Sequence, residues 1–65
     1  MKVITARDAH WATRWVEIEA EHGDVVMRVY KNETDCEYVL RMDETSALDL
    51  AVDVDEALTQ VIAAR

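Results

Sequence analysis

The chain has no proline, one glycine (Gly23), one cysteine (Cys36) and only seven basic residues against fourteen acidic ones among its 65 residues. Each scarcity excludes something. A single cysteine forbids an intrachain disulfide, and Cys36 with His10 and His22 lacks the spacing of a zinc site. A single glycine leaves no Gly-rich phosphate loop, and no G-x-S-x-G elbow presents a nucleophile. Basic residues are too few and scattered to form a stripe for nucleic acid. No window approaches the ~20 apolar residues of a membrane helix. The stretch Met1–Asp8 has no long apolar run, so no secretory signal is expected. Together with the unpaired thiol this makes the cytoplasm the expected compartment. Among these residues the sequence points to no catalytic group, no metal and no cofactor.

Without proline, and with 51% hydrophobic residues, the chain is not composed like a disordered one. Its net charge of −7 favours solubility and repels nucleic acid and anionic membranes, neither of which is expected as a direct partner. Residues 1–65 are enough for one small domain, and such a domain is marginal alone. With no disulfide or metal to staple it, regular packing or self-association must supply the remainder.

The clearest positive signal is a β-hairpin. Arg14–Glu21 and Asp24–Lys31 are rich in β-formers and flank His22-Gly23, a pair suited to a two-residue loop with positive φ. Centring the turn there pairs Ala20 with Val25, Ile18 with Met27 and Val16 with Val29 on one apolar face. Glu17 then opposes Arg28, and Trp15 opposes Tyr30, on the other. Residues 2–6 read as a preceding strand, with Ile4 beside Val16. After the polar turn Asn32–Asp35, residues 36–42 alternate cleanly. This sets Cys36, Tyr38, Leu40 and Met42 on the apolar face and Glu37, Val39 and Arg41 on the other, with Val29 against Tyr38 and Met27 against Leu40. A one-residue slip in any strand would destroy the agreement.

Residues 44–64 read as a helix capped near Asp43–Ser46. Ala47, Leu50, Ala51, Val54, Ala57, Leu58, Val61 and Ile62 form its apolar stripe, with Asp49, Asp53, Glu56 and Gln60 opposite. A rival reading takes Leu48, Leu50, Val52 and Val54 as a fifth strand, with Asp53 and Glu56 boxing a shorter helix. The unbroken stripe favours the long helix. The expected fold is α+β: an antiparallel meander of about four strands (2–6, 14–21, 24–31, 36–42) with one C-terminal helix (about 44–64) on its apolar face.

Function rests on two surfaces. The face away from the helix would carry Trp15, Tyr30, Val26 and Val39, with Arg28 among them, an apolar area suited to a partner. Trp11, in the first connection, would plug the open end of the core. Asp49, Asp53 and Glu56 line the polar side of the helix, where spaced carboxylates could imitate DNA phosphates. The leading expectation is a non-enzymatic protein-interaction module, a homodimer through Trp15 and Tyr30. The alternative is an acidic, DNA-mimic-like inhibitor whose helix face occupies a basic groove on another protein. In size and acidity the chain is similar in general style to accessory proteins of phages and mobile elements, and no motif carries a closer resemblance.

Overall fold

Strand alternation and the His22-Gly23 turn lead directly to the architecture. The computed structural model describes residues 2–65, of Lys2 the backbone alone. Four strands, β1 (Lys2–Arg7), β2 (Thr13–Glu21), β3 (Asp24–Tyr30) and β4 (Cys36–Met42), precede one helix, α1 (Glu44–Ala63). They form one antiparallel sheet in the order β1-β2-β3-β4.

His22 and Gly23 both take positive φ, 51° and 82°. That is the mirror-image turn whose twist matches the flanking strands. It sets the β2–β3 register: Ala20 against Val25, Ile18 against Met27, Val16 against Val29, Glu17 against Arg28 and Trp15 against Tyr30. Ile4 pairs with Val16, and Val29 and Met27 pair with Tyr38 and Leu40. We call the face carrying Val16, Ile18 and Met27 the inner face, and that carrying Trp15 and Tyr30 the outer face.

Strict alternation fails at one place. The β3–β4 register shifts between Val29 and Tyr30, so that Tyr30 opposes Cys36 while Val29 opposes Tyr38. Glu37 is thereby the extra residue of a bulge. Cys36, expected on the inner face, instead lies opposite Tyr30, and its thiol is exposed. The same shift ends β3 at Tyr30. The Lys31 amide donates to the Asp35 carbonyl at 2.9 Å, closing a loop in which the Asn32 side chain accepts from the Thr34 and Asp35 amides.

Helix α1 is continuous across residues 44–63, which removes the fifth-strand alternative. Asp43 caps it, its carboxylate accepting from the Ser46 amide at 2.8 Å. That bond and a further one from the Ser46 side chain hold the Asp43 carboxyl below its ordinary pKa. Asp43 is also the whole connection between β4 and α1. The chain thus passes from strand to helix through a single extended residue (φ −72°, ψ 174°). Helix α1 touches β3 and β4 only, Ala47 is its one half-buried residue, and every position from Leu48 onward is exposed.

The molecule is therefore open. Its radius of gyration is 13.3 Å, where a compact chain of this length would give about 11 Å. Its accessible surface is 5414 Å² for a mass of 7.5 kDa. Folded monomers of that mass expose about 4,200 Å².

Candidate functional site

Two surfaces stand out, one on each side of the sheet. On the inner side, α1 and the sheet diverge into an apolar cleft of about 520 Å³. Ile18, Val25, Met27 and Met42 form its sheet wall. Ala47, Leu50, Ala51, Val54 and Leu58, members of the helix stripe, form its other wall together with Asp55. The side chains that the pattern pairs across sheet and helix do face one another, but they do not close. Leu58 stays 51% exposed and Ile62, further out, 53%. Hydrophobic periodicity identified which residues would meet here. It carried no signal that the walls would stand apart, because that depends on the Asp43 link.

The outer face is built differently. Among the described residues, Val26 is the only hydrophobic side chain that is fully buried, at 0% exposure. Its ladder partners are Glu19 on β2 and Arg41 on β4, and Asp24 and Arg28 lie two residues away along β3. Arg28 donates to Glu19 at 3.2 Å and to Glu21 at 2.9 Å, and lies 3.6 Å from Glu17. Arg41 bridges Glu21 at 2.7 Å and Asp24 at 3.2 Å. These pairs set charged side chains around much of Val26, and their aliphatic stems can cover it while the heads stay wet. Glu21, held by Arg41 and then Arg28, titrates below its ordinary pKa. Both guanidiniums are held above theirs, most strongly by Glu21.

Of the five residues that the sequence offered as a partner surface, the structure keeps Trp15, Tyr30 and Val39 accessible. Trp15 is 39% exposed, Val39 is exposed and Tyr30 half-buried. Val26 presents no surface, and Arg28 is engaged by three carboxylates. Alternation counted Val26 as an outward valine, and a lattice of charges above it is invisible to that count. Trp15 and Tyr30 line a hollow of about 310 Å³ with Val3, Glu17, Asn32 and Glu33. Burial first, and then the Glu17 charge, push the Tyr30 hydroxyl above its ordinary pKa.

Trp11 does not plug the core. It is 78% exposed and takes φ 66° at the tip of the β1–β2 connection. Asp8 organises that tip, accepting from the His10 and Ala12 amides at 2.8 and 3.0 Å. These two bonds, Ala12's the stronger, hold the Asp8 carboxyl below its ordinary pKa. Arg14 ties the tip to the bulge through Asp8 (3.1 Å) and Glu37 (2.9 Å).

Asp49, Asp53 and Glu56 lie on the exposed helix, which carries five acidic residues and no basic one between Glu44 and Ala63. Among the described residues no group of three His, Cys, Asp or Glu is arranged to hold a metal ion, and no helix is long and apolar enough to cross a membrane. Comparison with protein-family models, curated proteins and solved structures gives no match to this chain.

Proposed function

We propose that this protein is a non-enzymatic interaction module that works as a homodimer, each copy's helix lying in the cleft of the other. The open cleft carries this reading. A single chain exposes roughly 1,200 Å² more surface than a folded monomer of its mass should. Covering that on both copies would remove about 2,400 Å² in total, the size of an obligate dimer interface. The two walls are both apolar, so a two-fold arrangement places helix on sheet twice with one kind of contact.

The sequence alone favoured the outer face around Trp15 and Tyr30 as the dimer surface. The continuous apolar area lies instead in the cleft, since ion pairs occupy the middle of the outer face. Sedimentation equilibrium at micromolar concentration tests the assembly. The expected mass is twice 7.5 kDa. A single-chain mass together with cooperative, concentration-independent unfolding would overturn it.

The rival reading, an acidic inhibitor that fills a basic groove through Asp49, Asp53 and Glu56, is supported by the all-acidic charge of α1. It leaves the cleft walls unexplained. A chain that stays monomeric, and whose binding to a basic protein disappears on neutralising those three carboxylates, would favour it.

A further inference from the structure

The outer face holds a second, smaller site. The hollow between β1 and β3 has an indole and a phenol on its floor, Trp15 and Tyr30, paired across the ladder. Glu17 and Glu33 stand in its lining, and no lysine or arginine does. Glu17 is the least compensated of the three carboxylates around Arg28. The guanidinium lies 3.6 Å from it, against 3.2 Å for Glu19 and 2.9 Å for Glu21. It is also the most enclosed of the three, its side chain 16% exposed.

We propose that this hollow receives the cationic head of a lysine or arginine side chain from a basic segment of a partner protein. Aromatic faces attract cations through their quadrupole, and a carboxylate at the rim adds direct charge pairing. An anion would meet two carboxylates, and an apolar group would leave the charges of Glu17 and Glu33 unused. About 310 Å³ is the low end of the range for small-ligand sites, adequate for one side-chain head. The net charge of −7 draws a basic segment toward the surface, and the hollow selects where it docks. Because it lies on the face opposite the cleft, the hollow stays open in a dimer and does not depend on one forming.

The test is a titration of the full-length chain with oligolysine and with oligoarginine peptides, followed by two-dimensional NMR, with oligoglutamate as control. The Trp15 indole N–H and Tyr30 ring signals should move saturably, and those of Trp11 should not. Glu17→Gln and Trp15→Leu should each weaken binding roughly two- to fivefold, while the double change Asp49→Asn, Asp53→Asn weakens it less than Glu17→Gln alone. Glu33→Gln provides a second rim variant should Trp15→Leu disturb the hairpin. The proposal is overturned if the Trp15 and Tyr30 signals stay still. It is equally overturned if neutralising the helix carboxylates weakens binding more than Glu17→Gln. Sedimentation of the same samples reports on the cleft separately, so a monomer that still binds the peptide would remove the dimer and keep this site.

Discussion

Truncating Leu58 separates a cleft that is merely open from one that a second copy fills. In the single chain this side chain is 51% exposed. Removing it there forfeits about half of a leucine's transfer free energy, ~1 kcal/mol. In the proposed dimer it is covered completely, and Leu→Ala at a closed site costs ~2–5 kcal/mol. A two-fold interface contains the site twice, and each separated chain has itself lost ~1 kcal/mol, so association loses at least about 2 kcal/mol and the dissociation constant rises roughly thirtyfold. Sedimentation equilibrium over a wide span of micromolar concentrations reads this directly. Val39→Ala on the outer face is the control, because a half-exposed valine remote from the cleft should leave the dissociation constant in place. Should Val39→Ala weaken association more than Leu58→Ala, the interface lies on the outer face and the cleft reasoning fails. Should neither matter, hydrophobic contact does not hold the copies together.

Three further outcomes follow from the local geometry. Gly23→Ala meets no atom within 4 Å of the new Cβ, so its cost is backbone strain alone, ~1–2 kcal/mol; urea unfolding at fixed chain concentration should show it, and a neutral result would contradict the positive-φ turn. Replacing Arg28 with Met removes the cation beside Glu17 and Glu19, which lie next to each other on one face of β2, and leaves Glu21 paired with Arg41. Added salt should then stabilise the variant more than the parent in thermal melts, and an equal response would mean that the ion pairs around Val26 contribute nothing. Asp8, Glu21 and Asp43 all have lowered pKa values. Their contribution is present above the ordinary carboxylate range and is lost as pH falls through the folded-state values, so stability should drop progressively below about pH 4. Circular dichroism should record the acid loss, with Asp43→Ala already lower in helix content at neutral pH.

Much of the fold was legible because two independent signals agreed. The turn at His22-Gly23 admits one centring, and that centring aligns the alternation of β1, β2, β3 and most of β4 on a single apolar face. The helix was legible from its stripe, which no glycine or proline interrupts. What escaped shares a different cause. The bulge at Glu37 has no glycine to announce it, so Cys36 was assigned to the wrong row. Trp11, from its place in the first connection, is expected to plug the open end of the core, whereas the Asp8 turn holds its backbone out at the tip. Val26 was counted as outward because alternation ignores how far the charged neighbours on its own face reach, although the pairing of Glu17 with Arg28 was already readable there. Of the candidate surfaces, the juxtaposition of Trp15 and Tyr30 was legible, but the wider apolar opening reads in the sequence as closed core.

The brevity of the Asp43 joint reaches beyond shape. If the proposed dimer holds, a helix that stands open from its own sheet would tie the integrity of each molecule to the abundance of its siblings. On the proposed dimer, a freshly made chain at low copy number would show its valines and leucines to proteases and chaperones until another arrives. Cellular levels of such a protein would rise with a threshold rather than in proportion to synthesis. Lengthening the joint by a few flexible residues, so that the helix could reach its own sheet, would abolish that threshold.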